Sequence, residues 1–157
     1  MGGIKGVNPK AIGERSEGQI IARLLRIGKL VLKPFGDNQR YDLVLDEGDR
    51  FVRVQCKTGR LRHGAVEFAT CSSYAHRGHG RRDYRGQADV FAVYCPDTDG
   101  CYIVPVDAVG TKACRLRVER ARNGQAKNVR LAVDFELAPR VGLEPTTQRL
   151  TAACSTD

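Results

Sequence analysis

Apolar residues in the first part of the chain recur at helical spacing and then shift to the two-residue period of strands. Ile20, Ile21, Leu24 and Leu25 share one face of a helix expected over 14–27, and Gly28 stops it. Asn8 followed by Pro9 is a cap-and-start signal for helix just upstream. Segments 30–35, 41–45 and 51–56 then read as strands, the last two joined into a hairpin by Asp46-Glu47-Gly48-Asp49. Segment 65–70 is a further strand with Val66 and Phe68 on one face. Segments 89–95 and 101–106 form a second hairpin about Pro96-Asp97-Thr98-Asp99-Gly100. A short helix from Asp107 towards Ala113 and an edge strand over 131–137 complete the pattern. Between them 76–87, HRGHGRRDYRGQ, holds three glycines and four arginines and is expected to be a mobile basic loop. Periodicity is lost from Val141 onward. Residues 1–12 are therefore assigned to an N-terminal arm, 13–137 to one folded domain and 138–157 to a disordered tail.

Composition adds a partner class. The chain has 157 residues, enough for one core, and Lys plus Arg exceeds Asp plus Glu by 26 to 18, a net charge of +8. A small body with that charge attracts polyanions, and the planar fork of Arg suits phosphate. Charge alone leaves two readings open, a nucleic-acid partner or a merely soluble basic protein. No apolar run is long enough to span a membrane, and MGGIKGVNPK has no apolar core of a secretory signal. The six cysteines are then expected to be reduced, in a cytoplasmic protein. His63, His76 and His79 lie near Cys71 in sequence, but the absence of any C-x-x-C pair argues against zinc. Several cysteines are expected to serve as small core hydrophobes.

The candidate chemistry sits on the first helix and first hairpin. Glu17 falls near the centre of the helix's apolar face, where an unpaired carboxylate is costly to bury. Either it has a functional reason to be there, or it lies in an exposed first turn where acids favour the helix dipole. Asp42 begins one hairpin strand, whereas Gln55 and Lys57 end the other and, two apart, share a face. Antiparallel pairing brings the three together. A carboxylate and an amide oxygen suit a hard cation such as Mg²⁺. Lys57 then orients or deprotonates a water, or stabilises charge in the transition state. Spacing alone is a weak signal: Asp107 followed by Gln125-Ala126-Lys127 repeats the residue types without any hairpin to unite them, and is set aside.

A helix, three strands, then Asp and Gln-x-Lys resemble the PD-(D/E)xK nuclease superfamily, and within it the group I intron-associated endonucleases. The residues carrying the resemblance are GERSEGQIIARLLRIG (13–28), PFGDNQRYDLV (34–44) and RVQCKTGR (53–60), with weaker support from FATCSSY (68–74) and ADVFAVYCP (88–96). The resemblance implies an α/β, restriction-endonuclease-like fold with a central mixed β-sheet flanked by helices. It implies Glu17, Asp42, Gln55 and Lys57 as catalytic positions, with Asp42, Gln55 and Glu17 towards Mg²⁺, and with Mn²⁺ as an accepted substitute. Gln55 departs from the commoner Glu or Asp and removes one negative charge from the metal site. The activity implied is a double-strand DNA endonuclease of homing type, acting as a homo-oligomer. A Holliday-junction resolvase and a non-catalytic nucleic-acid-binding module are the alternatives.

Arg40 matches the same motif and is expected to bind phosphate or brace the site, although an exposed salt bridge explains it equally well. Arg60, Arg77, Arg81, Arg82 and Arg85 are candidate DNA contacts, and the stretches 76–85 and 112–130 are the expected DNA-contacting surfaces. Tyr74 and Tyr84 are read as base-stacking or, more ordinarily, packing residues. The three histidines are read as solvated loop residues rather than catalytic ones.

Overall fold

The computed structural model describes residue 6, residues 8–73 and 80–119, residue 127 and residues 129–137. The cap signal and the apolar periodicity belong to one helix, α1 (Pro9–Arg26), so residues 9–12 are helical rather than part of an arm. The Asn8 side chain accepts from the Lys10 amide at 3.0 Å, and Pro9 opens the first turn where no N–H is needed. Gly28, at φ +79°, ends it. Its N–H donates to the Leu25 carbonyl, and that of Lys29 to Leu24, both at 3.0 Å. The buried stripe is Ser16, Ile20 and Leu24, while Leu25 is 56% exposed. Glu17 therefore lies beside the stripe and not at its centre, a correction to the helical-wheel expectation. Ser16 is tolerated in the stripe because its hydroxyl meets that of Thr58 at 2.6 Å.

Ten strands follow: β1 (Leu30–Leu32), β2 (Leu43–Asp46), β3 (Phe51–Thr58), β4 (Arg60–Arg62), β5 (Ala65–Ala69), β6 (Cys71–Ser73), β7 (Arg81–Asp83), β8 (Val90–Cys95), β9 (Gly100–Pro105) and β10 (Ala113–Arg117). Five make the central mixed sheet in the order β1-β2-β3-β8-β9, with β3 and β8 parallel and the other pairs antiparallel. A parallel pair needs a long crossover, usually a helix. Here β4 to β7 supply it, as part of a three-stranded sheet in the order β10-β5-β4 and a β6-β7 ribbon. Among the described residues α1 is thus the single α-helix, and the second face of the central sheet is covered by strands where flanking helices were expected.

Three local expectations change. Residues 81–83 of the expected basic loop are strand β7, paired with β6, while residues 74–79 lie outside the described residues. The expected helix after Asp107 is only a 3₁₀ turn, Val106–Ala108, before β10 begins. The expected edge strand at 131–137 is a 3₁₀ turn, Ala132–Asp134, between single bridges of Leu131 to Arg117 and Glu136 to Tyr102. Its backbone still runs beside the two edge strands β9 and β10: the Ile103 amide donates to the Phe135 carbonyl at 2.8 Å, that of Leu137 to Cys101 at 2.7 Å and that of Arg117 to Arg130 at 2.8 Å. The short β4-β5 hairpin was not foreseen. It turns on His63 and Gly64, both at positive φ, as a two-residue turn of this twist requires. Expected domain limits at 138–157, and Cys154 with them, fall outside the described residues.

Two apolar cores lie on opposite faces of the central sheet. Under α1, Ile20 and Leu24 pack with Leu43, Leu45, Val52, Val54, Val90 and Ala92. On the other face, Phe91, Val93 and Val104 pack against Val66, Phe68, Cys114 and Leu116 of the small sheet. Cys71, Cys95, Cys101 and Cys114 are buried free thiols, as expected of small core residues, and Cys56 is half-buried. The parallel joint is clamped by Arg53, whose guanidinium grips both Asp89 oxygens at 2.9 and 3.1 Å while its amide donates to the same carboxylate at 2.7 Å. Burial raises the Asp89 carboxyl, but hydrogen bonds and charge from Arg53 outweigh it and hold the group below its ordinary range. Stability from a depressed carboxylate is present above the unfolded value and lost as pH falls through the folded one. Asp89→Asn should therefore cost about 0.5–1 kcal/mol near neutrality, because the pair is partly exposed. Urea unfolding should find wild type and variant converging as pH falls through the carboxylate range; a constant difference would contradict this account.

Candidate active site

The site forms where β2 begins and β3 ends. Leu43 pairs with Val54, and the Asp42 amide donates to the Val54 carbonyl at 2.8 Å, so Asp42 stands just ahead of β2 opposite Gln55. Its Oδ2 accepts from Gln55 Nε2 at 2.7 Å and from the Cys56 amide at 2.8 Å. Its Oδ1 accepts no hydrogen bond among the described residues. Gln55 and Lys57 share one face of β3, as their spacing predicts, while Cys56 turns to the α1 side with Val52 and Val54.

Burial pushes the Asp42 carboxyl above its ordinary range, and the Glu17 charge adds to this. The Cys56 amide, Lys57 and Lys33 act in the opposite direction and are outweighed. Glu17 and Asp42 are thus close enough to repel, across the edge between α1 and the sheet. The Cys56 thiol is also pushed up, first by burial and then by Asp42 and Glu17. It is held as a thiol, not poised as a nucleophile.

Two neighbours were not foreseen. Lys33, one residue beyond β1, donates to the Glu17 carboxylate and is raised by that bond, with smaller contributions from Asp42. No pattern in the sequence singles out Lys33, because sixteen residues separate it from Glu17 and only the packing of α1 beside β1 joins them. The second is Tyr84. It is 5% exposed and stands edge-to-face with Phe91 at 5.6 Å, so it packs in the core and does not project as a wedge. Lys57 Nζ donates to its hydroxyl at 3.1 Å and lies 4.5 Å from the ring centroid.

Arg40 completes this arrangement. Its guanidinium lies 4.3 Å from the Tyr84 ring centroid. It donates to Gln87 at 2.7 Å, to the Ser72 hydroxyl at 2.7 Å and to the carbonyls of Arg82 and Asp83 at 3.3 and 2.8 Å. Of the roles read for Arg40, bracing is the one these bonds describe. Arg40→Ala opens four acceptors at once and should cost about 2 kcal/mol of stability, measurable as a fall in the urea midpoint with unchanged slope. No change in midpoint would refute the brace.

The other candidate positions disperse. Arg81 and Arg82 are exposed on β7, Arg85 reaches the Val109 carbonyl at 3.3 Å, and Arg60 lies on β4. His63 is a turn residue, whereas Tyr74, His76, Arg77 and His79 lie outside the described residues. So do Gln125 and Ala126 of the second Gln-x-Lys copy. Among the described residues no three His, Cys, Asp or Glu side chains gather as a metal-binding group. The groups at the hairpin are instead the Asp42 carboxylate, the Gln55 amide, whose nitrogen donates to Asp42, and a neighbouring glutamate. That set fits a hard divalent ion whose remaining positions are filled by water or substrate, the usual habit of Mg²⁺.

Comparison with known proteins bears on the family and the fold. No curated relative matches the sequence. Among solved structures, a bacterial homing endonuclease, I-Ssp6803I, superposes with a TM-score of 0.67 and 26% sequence identity, over 82% of this chain and 88% of the other. The profile of the PD-(D/E)XK endonucleases matches residues 7–138, from the cap of α1 to the end of the last described turn. The chain belongs to the PD-(D/E)XK endonuclease family.

Proposed function

We propose that the chain is a Mg²⁺-dependent endonuclease that hydrolyses phosphodiester bonds of double-stranded DNA, of homing type and acting as a homo-oligomer. The observation that carries this reading is the convergence of Asp42 and Gln55, 2.7 Å apart, with Lys57 on the same face of β3. The likeness to a homing endonuclease supports the substrate. Asp42 and Gln55 would hold the ion, with Glu17 in support, and Mn²⁺ could substitute. When bound, the ion supplies a water of lowered pKa and offsets charge on the phosphate oxygens. Lys57 orients that water or stabilises the phosphate's developing charge, held in place by the Tyr84 hydroxyl. The Cys56 amide and Gln55 fix Asp42 through Oδ2, which leaves Oδ1 without a hydrogen bond among the described residues. Because Gln55 is neutral, part of the charge that attracts the ion must come from the DNA phosphates.

Among the described residues no helix is long and apolar enough to cross a membrane, and the five described cysteines are free thiols. We place the protein in the cytoplasm on the second of these points. The decisive test is incubation with linear duplex and with four-way junctions, in Mg²⁺ and in EDTA. Cutting of duplex in Mg²⁺ alone is expected. Preference for junctions would make it a resolvase, and binding without cutting of any substrate would make it a binding module.

A further inference from the structure

The small sheet carries a charged face that the catalytic site does not use. In β5, Val66 and Phe68 point into the core, as do Cys114 and Leu116 of β10. Strand alternation then sends Glu67, Arg115, Arg117, Arg60 and Arg62 to the opposite, outer face. The register aligns them in two rungs, Arg60 with Glu67 and Arg115, and Arg62 with Ala65 and Arg117. Across a rung the outer strands are about 9.6 Å apart, and along a strand the rungs are about 6.7 Å apart. Four guanidinium groups thus share one sheet face with a single carboxylate, Glu67, which pairs with Arg115 at 2.9 Å. Among the described residues the side chains of Arg60, Arg62 and Arg117 make no hydrogen bond or ion pair.

Such a concentration of like charge stabilises no folded state; side by side, unpaired cations repel. The face is also tied to the active site. β3 runs from Lys57 into β4 through Gly59 alone, where a Cβ would stand 2.6 Å from Val66 Cγ1. Arg60 therefore follows Lys57 by three residues, within about 10 Å of chain, with no slack between them.

We propose that the outer face of the β10-β5-β4 sheet, through Arg60, Arg62, Arg115 and Arg117, is a docking surface for the phosphate backbone of duplex DNA beside the site of cutting. This rests on the endonuclease reading. Arginine forks bond phosphate oxygens whatever the sequence, so the role assigned to the face is affinity and register on the backbone.

The test is a salt titration of binding, by fluorescence anisotropy in EDTA, on a mixed-sequence duplex. Wild type is compared with Arg62→Ala/Arg117→Ala and with Arg62→Lys/Arg117→Lys. Each lost phosphate contact should make the slope of log K against log salt shallower by about 0.9. The alanine pair should therefore lower the slope by about 1.8, so that a fourfold rise in salt weakens wild type roughly 12-fold more than the variant. The lysine pair should keep the wild-type slope. Ala69→Glu, on the same face and exposed, should weaken binding without removing any arginine, which covers the case of an alanine pair that fails to fold. Equal slopes for wild type and the alanine pair would overturn the docking surface while leaving the nuclease reading intact. No duplex binding by wild type at low salt would overturn both.

Discussion

Lys57→Ala is expected to lower Mg²⁺-dependent cleavage by about 10²–10⁴-fold, the range for loss of a positioned acid–base or charge-stabilising group. Duplex binding should change little, because Lys57 is one cation among many on this protein and its Nζ is engaged with the Tyr84 hydroxyl. Single-turnover cleavage read beside anisotropy separates the two effects. Lys57→Met, which keeps the length of the side chain over the Tyr84 ring but not the charge, should show the same loss. Cleavage by either variant at the wild-type rate would remove Lys57 from the mechanism. Loss of binding in parallel with cleavage would make it a docking residue instead.

Asp42→Asn should act on two properties in opposite directions. Cleavage should be lost, since the side chain at 42 no longer offers a charged oxygen to the ion. The metal-free protein should become more stable. Burial raises the Asp42 carboxyl in the folded state, so its ionised form is penalised there at every pH above its ordinary value. Asparagine keeps an acceptor for Gln55 and Cys56 without the charge. Urea unfolding in EDTA at neutral pH should therefore favour the variant, and the gap should close below the ordinary carboxylate range, where both side chains are neutral. Millimolar Mg²⁺ should raise the wild-type midpoint by mass action and leave the variant unmoved. The wild-type shift should grow when uncut duplex is present, since Gln55 contributes no charge of its own. A variant no more stable than wild type in EDTA would contradict the buried-carboxylate account, and retained cleavage would contradict the metal site.

The pair Glu17 and Lys33 shows how the side chains of the site balance one another's charges. Two carboxylates approach each other at the edge between α1 and the sheet, and Lys33 and Lys57 partly offset them. That balance was invisible along the chain. A helical wheel placed Glu17 at the centre of an apolar face, whereas packing chose Ser16, Ile20 and Leu24 as the buried stripe and left Glu17 beside it. Helical periodicity locates a stripe only to within about one residue, or 100°. The neighbour that selects the stripe is β3, and the bond from Ser16 to Thr58 is made across 42 residues.

Local chemistry settled much of the rest. Residue alternation and the turn at 46–49 were enough to bring Asp42 opposite Gln55 and to place Lys57 on the same face, because hairpin register follows from short-range geometry. The cap at Asn8 and the stop at Gly28 likewise act within a few residues. What had to wait for the folded chain was every feature made by distant segments. The β4-β5 hairpin, with its His63-Gly64 turn, joined the strand expected at 65–70 to a partner of its own. Arg40 and Lys57 both met the Tyr84 ring, and the arginines of β4 and β10 aligned on either side of β5. Those arrangements depend on long-range strand pairing and on which surfaces are left to cover the second face of the sheet. Neither leaves a periodic trace in the order of residues.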